Sequence, residues 1–194
     1  MLGCSEPGSK VLLSEHNDRR RKLKHQIEIV YAGRTPVGIH TGRPTAVVAE
    51  AIMAGKIPEL AGYAVLRRET AVAHGAHVDI ALEGNGLRTC YIQVKNVTLA
   101  ENDVAYYPDT VSPNEGERLL ELTDLVREGF RGMSIFVAQR NDVESFRPAD
   151  HLDPDIGQTF RAAMARGVEV LCYRANVTRK GIELDEKLPV EIGL

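Results

Sequence analysis

Two apolar runs that lie close together along the chain carry charged and polar residues where strands are usually apolar. The first run, 78–82, contains Asp79, and the second, 91–95, contains Gln93 and Lys95. Residues two apart on a strand face the same side of a sheet, so Gln93 and Lys95 point together. If the two runs pair across the short link between them, Asp79 lies beside both. The pattern therefore predicts a cluster of polar side chains inside a sheet.

This cluster of polar side chains has two interpretations. An aspartate followed by an acid-x-lysine pattern on the next strand is typical of the PD-(D/E)xK nuclease core, where carboxylates hold a divalent cation and the lysine orients water or stabilises charge. Asp79, Gln93 and Lys95 would then be catalytic, with Asp79 and Gln93 as ligands of Mg²⁺ or Mn²⁺. Gln93 is an amide, however, and adds no negative charge. The alternative is an ion pair between Asp79 and Lys95, since desolvating either charge alone is expensive.

Other acids could supply the charge that Gln93 lacks. The candidates on neighbouring elements are Glu50, Glu59 and Glu69. Each of them also fits an ordinary surface or capping charge, which is the simpler interpretation. The histidines are dispersed, and the close pair His74 and His77 is better explained by chance than by a zinc site.

Charge is unevenly distributed along the chain, although the formal net charge is only -3. Residues 1–43 contain eight Lys and Arg against four Asp and Glu, which gives +4, whereas the remaining 16 and 23 give -7. The cations of the first part cluster at Arg19, Arg20, Arg21, Lys22 and Lys24. Each could neutralise a phosphate of DNA, and the alternative is a solvated loop. Because tryptophan is absent and aromatic residues are 5%, a broad base-stacking platform is not expected.

Cysteine spacing and hydropathy indicate the compartment. The three cysteines, Cys4, Cys90 and Cys172, are far apart and form no C-x-x-C pair. Such spacing favours a reducing environment, and no apolar run approaches the length of a membrane span. We therefore expect a cytoplasmic protein without a membrane partner, while homo-oligomerisation stays open.

Hydrophobic periodicity predicts an α/β (α+β) chain in two parts. Residues 1–43 show short extended runs and turns, and from Pro44 the period becomes helical. Helices are expected to begin near Pro44, Pro113 and Pro154, the second with a capping box at Ser112, and each ends near a glycine. The remaining strands are expected at 63–72, 77–82, 90–99, 133–138 and 168–173, with a closing hairpin within 176–192. This order predicts a small β module, 1–43, followed by a mixed-sheet α/β sandwich, 44–194.

Short stretches from one end of the chain to the other together resemble the sugar fermentation stimulation protein family. These stretches are Glu6-Pro7-Gly8-Ser9, Arg21-Lys22-Leu23-Lys24-His25, Ile57-Pro58-Glu59-Leu60, Gly62-Tyr63, Val94-Lys95-Asn96-Val97-Thr98-Leu99, Pro108-Asp109, Gln139-Arg140, Pro148-Ala149, Asp153-Pro154 and Gly167-Val168-Glu169-Val170. The resemblance implies an N-terminal OB-like domain and a PD-(D/E)xK nuclease-like domain. It also implies sequence-nonspecific DNA binding, with the basic cluster in the DNA-binding module, and a regulatory role in sugar metabolism.

The chain departs from the family pattern around the expected metal site. Where the family usually has Ser-Arg, Glu-Val-Lys and a later Arg-Gly with basic followers, this chain has Ala76-His77, Gln93-Val94-Lys95 and Glu115-Gly116-Glu117-Arg118. Each change removes charge that suits a metal or a phosphate. Family members also start with further strands, so a partial, shortened OB-like module is expected here.

Three functions are therefore open. The first is a sequence-nonspecific DNA-binding protein built on a nuclease-like fold. The second is a Mg²⁺-dependent DNA phosphodiesterase that uses Asp79, Gln93 and Lys95. The third is a protein-interaction module on an inactive nuclease fold.

Overall fold

The computed structural model describes residues 2–18, 20, 22–72, 77–111 and 113–193. Within these residues the chain forms twelve strands, three α-helices and a short 3₁₀ helix, Pro58–Leu60. The strands are β1 (Val11–Glu15), β2 (His25–Ala32), β3 (Thr35–Gly38), β4 (Val65–Ala71), β5 (His77–Glu83), β6 (Cys90–Val97), β7 (Leu99–Glu101), β8 (Val104–Tyr107), β9 (Arg131–Ala138), β10 (Ser145–Pro148), β11 (Glu169–Val177) and β12 (Ile182–Leu188). The helices are α1 (Arg43–Met53), α2 (Pro113–Arg127) and α3 (Pro154–Ala165).

The centre of the structure is a six-stranded mixed sheet in the order β12-β11-β9-β6-β5-β4. Strands β6, β9 and β11 run parallel, and the outer strands pair antiparallel. The parallel pairs are connected through α2 and α3, as crossovers between parallel strands require. The α/β class and the mixed sheet predicted from the sequence are confirmed.

Helices cover both faces of this sheet and define two cores. Helix α1 packs Val47, Val48 and Ala51 against Ile80 and Ile92 on one face, which we call the α1 face. Helices α2 and α3 pack on the other, the α2 face, and their apolar residues meet Phe136, Phe146 and Cys172. Successive side chains along β6 and β9 therefore point alternately into one core and the other.

The ends of helix α3 show how local sequence sets an element. The carboxylate of Asp153 accepts a hydrogen bond from the Ile156 N–H at 3.1 Å, and Pro154 occupies the first helical turn. After the helix, Gly167 has a φ of +97°, a conformation that favours glycine. The corresponding cap predicted for α2 at Ser112, and the side chains through Glu115, lie outside the described residues.

Two smaller sheets flank the large one. Strands β1, β2 and β3 form an antiparallel N-terminal sheet, close to where the sequence placed its extended runs. Strands β7, β8 and β10 form a third sheet that the sequence analysis missed. Its strands are only three or four residues long, and β10 pairs parallel with the distant β8. Alternation over so few residues gives no usable signal.

The N-terminal sheet is joined to the large sheet by specific bonds. The Gly38 N–H donates to the Gln139 carbonyl at 2.7 Å, and the Gln139 amide donates to Gly38 O at 3.2 Å and to Asn96 Oδ1 at 2.7 Å. A Cβ atom at Gly38 would lie 2.7 Å from Gln139 Oε1, so the close approach requires glycine.

Among the described residues, no helix is both long and apolar enough to cross a membrane.

Candidate functional site

Asp79 lies where the pairing of β5 with both neighbours is interrupted. The β5–β6 ladder ends at Ile80 opposite Ile92, so the next position in this register would place Asp79 opposite Gln93. Instead, Asp79 Oδ2 accepts a hydrogen bond from the Val94 N–H at 2.7 Å. A side-chain carboxylate thus takes the place of a strand carbonyl and is fixed at the end of the ladder.

The interruption continues on the other side of β5. The β4–β5 ladder skips the position at which Glu69 would face Asp79, and Glu69 has a φ of +51°. A positive φ is unfavourable for a residue with a Cβ atom. Val78 packs in the core on the α2 face, whereas Ile80 packs in the core on the α1 face. Strand β5 therefore twists at Asp79, the residue that the sequence singled out.

Gln93 and Lys95 lie two apart on β6, as expected, and both are buried. Gln93 is 0% exposed and Lys95 is 7% exposed. The Gln93 Nε2 donates to the Arg118 carbonyl of α2 at 2.9 Å, which fixes the direction of the amide. Its Oε1 is buried and has no hydrogen-bond partner within the described part of the chain. A buried acceptor without a partner is unusual and points to an absent ligand or water.

Ser134 is a further candidate that the sequence analysis did not select. It is the register partner of Gln93 in the parallel β6–β9 pair, and its Oγ is also buried without a partner in the described structure. Both side chains belong to the α2 face, because Val97 and Phe136, which lie an even number of residues away along β6 and β9, pack in the core on that face. A serine inside the apolar run of β9 was the available signal.

These residues fit a weak site for a hard cation better than a strong one. One carboxylate oxygen of Asp79 is bonded to Val94, while the second oxygen and Gln93 Oε1 are the type of ligand that Mg²⁺ and Ca²⁺ prefer. Within the described ranges, no group of three or more His, Cys, Asp and Glu side chains could hold a metal ion. A cation here would depend on one carboxylate, an amide oxygen and water.

The three additional acids differ in position. Glu59 binds Lys187 and accepts from the Tyr173 hydroxyl at 3.3 Å, and despite partial burial these bonds lower the pKa of Glu59. Glu50 is exposed on α1, which covers the face opposite to Gln93. Glu69 is exposed on β4 at the position facing Asp79. Glu59 and Glu50 therefore have the ordinary structural or surface roles that the sequence favoured.

On α2, the described side chains of the segment that departs from the family pattern lie at the surface. Glu117 and Arg118 are exposed, and Arg118 contributes its backbone carbonyl to Gln93. The side chain of Glu115, like the whole of Ala76, lies outside the described residues. His77 lies on β5, but its side chain is not described.

The predicted basic cluster lies in the loop between β1 and β2, which we call the basic loop (16–24). The His16 N–H donates to the Lys24 carbonyl at 2.8 Å and closes it. Lys22 and Lys24 are exposed, and Arg20 is 90% exposed while it pairs with Asp18 at 3.1 Å. Exposed pairs of this kind contribute little free energy and can exchange partners. Arg19 and Arg21 lie outside the described residues.

Family models match both parts of the chain. A model described as "Sugar fermentation stimulation protein RE domain" matches residues 42–181, and one described as "SfsA N-terminal OB domain" matches residues 1–39. Sugar fermentation stimulation protein homologs from Citrifermentans bemidjiense and Geobacter metallireducens are 44% and 46% identical to this chain. Each alignment covers 98% of this chain and 82% of the relative.

A solved structure has the same fold. It is that of Pyrococcus furiosus SfsA in complex with Ca²⁺, which matches with a TM-score of 0.88 and 25% sequence identity. The match covers 96% of this chain and 80% of the other. Sequence and structure agree on one conclusion: this chain belongs to the sugar fermentation stimulation protein family.

Proposed function

We propose that this protein binds DNA without sequence preference through the basic loop, and that its large sheet carries a weak divalent-cation site. The observation that carries the first part is the exposure of Arg20, Lys22 and Lys24 at the tip of a hairpin. This hairpin belongs to the segment matched by the OB-domain model. Cations on an exposed loop can follow a phosphate backbone whatever the bases are.

The division of the chain at residue 43 is part of this proposal. Residues 1–43 would act as an OB-like module, and residues 44–194 as the nuclease-like domain. A cytoplasmic location is supported by the three free and buried cysteines. Burial raises the pKa of Cys90 to about 12 and also raises that of Cys172, so neither thiol is readily ionised. A regulatory role in sugar metabolism rests on the family alone.

Salt-dependent binding tests the role of the loop. The variant Lys22→Gln/Lys24→Gln should bind unrelated DNA duplexes more weakly and to a similar extent. The slope of log K against log salt should fall by about 0.9 for each phosphate that the protein no longer neutralises. The matched control is Arg88→Gln/Arg166→Gln, which removes two exposed charges remote in sequence from the loop. Equal behaviour of both variants would exclude the loop from the interface.

A metal-dependent DNA phosphodiesterase is the second candidate, and one specific observation favours it. Asp79 is fixed by the N–H of Val94, the residue next to Gln93 on β6, and Gln93 Oε1 has no partner among the described residues. Asp79 and Gln93 would hold Mg²⁺ or Mn²⁺, and Lys95 would orient water or stabilise charge on the phosphate. A bound divalent ion would supply Lewis acidity and a more acidic water. The Ca²⁺ in the Pyrococcus furiosus relative supports a cation site in this fold.

Two measurements separate the candidates. Calorimetric titration with Ca²⁺, which supports binding without requiring catalysis, should show weak affinity that is lost in Asp79→Asn. Incubation of supercoiled DNA with Mg²⁺ or Mn²⁺ should show little or no nicking. Rapid nicking that disappears in Asp79→Asn would instead make the enzyme the main function. Absence of both DNA binding and cation binding would leave a protein-interaction module on an inactive fold.

A further inference from the structure

A groove of about 400 Å³ runs between the N-terminal sheet, helix α1 and the turn that joins β11 to β12. Its apolar floor includes Leu12, Ile29 and Val47. Its rim carries Arg43, Arg179 and Lys180. The groove thus lies where the two parts of the chain meet, and cations of α1 and of the turn are among its lining residues.

The turn presents its two cations from a fixed backbone. The Thr178 hydroxyl accepts from the N–H groups of Lys180 and Gly181 at 3.2 Å and donates to the Gly181 carbonyl at 3.0 Å. The Arg179 and Lys180 side chains take no part in these bonds and are exposed. Neither side chain forms an ion pair within the described residues. Their charges are therefore available to a ligand, and little backbone ordering is needed when one binds.

The charges that line the groove are partly paired with one another. Arg43 is bonded to Glu28 at 2.7 and 2.9 Å, and these bonds lower the pKa of Glu28 to about 2, so this pair is neutral as a whole. Glu50 lies on α1 and also borders a neighbouring hollow that contains Glu183. The positive charge without an ion-pair partner among the described residues lining the groove is therefore that of Arg179 and Lys180 at the turn.

The turn and the basic loop border the same strand. The groove wall includes Leu13 and Ser14 of β1, and the basic loop begins two residues after Ser14. The strand that leads into the basic loop therefore also lines the groove that the turn borders.

We propose that Arg179 and Lys180 form a second phosphate-binding point, which continues the DNA interface from the basic loop onto the large sheet. This inference rests on the proposed DNA binding and adds to it a defined site on the second part of the chain. The ligand is the phosphodiester backbone rather than a base, because the turn offers two cations and no aromatic surface.

The test compares three variants with wild type in salt titrations of DNA binding. Arg179→Gln/Lys180→Gln should reduce the salt slope by up to about 1.8, the value for two phosphates, and weaken binding of unrelated duplexes alike. Arg179→Lys/Lys180→Arg keeps both charges and should retain wild-type binding. Glu50→Gln should strengthen binding slightly. The pair Arg88→Gln/Arg166→Gln again controls for net charge.

Each outcome has a separate meaning. If wild type binds and the loop variant is impaired, but Arg179→Gln/Lys180→Gln equals the charge control, the second phosphate-binding point is wrong and the proposed function stands. If wild type shows no salt-dependent binding, both proposals are wrong. Because the substituted side chains are exposed and outside the turn's hydrogen bonds, thermal unfolding of the variant should match wild type.

Discussion

At the scale of single residues, Gln93 performs a structural task that glutamate cannot perform in the same way. Its amide nitrogen donates to the Arg118 carbonyl, and its oxygen is left buried. An ionised glutamate has only acceptor oxygens and would face that carbonyl with a like partial charge. The amide therefore connects β6 to α2 at the expense of a negative charge near Asp79.

This conflict predicts the behaviour of Gln93→Glu. We expect a loss of stability of about 1–3 kcal/mol at neutral pH, because a buried hydrogen bond is lost and a charge is placed in a buried position. Burial would raise the pKa of the new carboxyl, so the loss should grow as pH rises above the unfolded pKa of glutamate, about 4.3, and be smallest below it. Ca²⁺ should recover part of the stability. Thermal unfolding with and without Ca²⁺ measures both effects.

The same substitution addresses catalysis. If the site is a degenerate nuclease, Gln93→Glu should produce metal-dependent nicking of supercoiled DNA, and the added change Lys95→Ala should abolish it. We expect no nicking, because α2 carries Glu117 where the family pattern has basic residues, so restoring one carboxylate does not restore the contacts to phosphate. A variant that neither gains stability from Ca²⁺ nor nicks DNA would favour a binding-only scaffold.

Ser134 allows a second prediction at this scale. Its hydroxyl is buried without a partner among the described residues, so Ser134→Ala removes a desolvated polar group at little loss of volume. Stability should stay the same or rise by up to about 1 kcal/mol. Thr123→Val is the control, because the Thr123 hydroxyl donates to Leu119 O at 2.9 Å and its loss should destabilise by about 1 kcal/mol. A clear destabilisation in Ser134→Ala, measured by urea unfolding, would show that a water occupies the site.

At the scale of elements, strand β2 and helix α1 are connected by the ion pair of Glu28 and Arg43. Glu28 also accepts from the Ser14 hydroxyl at 2.7 Å, which brings β1 into the same network. The Glu28 side chain is 13% exposed and Arg43 is 48% exposed, so solvent screens part of the interaction. The pair therefore connects the N-terminal sheet to the start of helix α1.

Acidification should weaken the ion pair of Glu28 and Arg43. The folded pKa of Glu28, about 2, lies below the ordinary 4.5, so its stabilisation is present above pH 4.5 and is lost as pH falls toward 2. After allowance for screening, we expect about 1–2 kcal/mol. Glu28→Gln should remove most of this dependence and increase proteolysis of the N-terminal sheet at neutral pH. Glu15→Gln, an exposed acid on β1, should leave both unchanged.

Elements with strong local signals could be predicted from the sequence. A proline at each helix start and a glycine near each helix end are local features, and the strand containing Asp79 was placed beside that of Gln93. The bond from Val94 to Asp79 could not be predicted, because it depends on where two strands stop pairing. The third sheet was missed for a related reason, since its pairing joins residues distant along the chain.

At the scale of the whole molecule, the two proposed activities lie on different faces of the large sheet. The N-terminal sheet contributes Ile29 to the core on the α1 face, and the groove also borders helix α1. Gln93 and Ser134 belong to the α2 face. A duplex held by the basic loop therefore needs no contact with the candidate cation site.

This separation predicts that DNA binding and cation binding are independent. Asp79→Asn should abolish the weak Ca²⁺ affinity but leave DNA affinity and the salt slope at wild-type values, and EDTA should not release DNA. Conversely, Lys22→Gln/Lys24→Gln should weaken DNA binding without changing Ca²⁺ affinity. Calorimetry for the ion and fluorescence anisotropy for DNA, on the same protein samples, provide the comparison. A change of the salt slope in Asp79→Asn would place a phosphate at Asp79 and show that one ligand spans both faces, as a working nuclease would require.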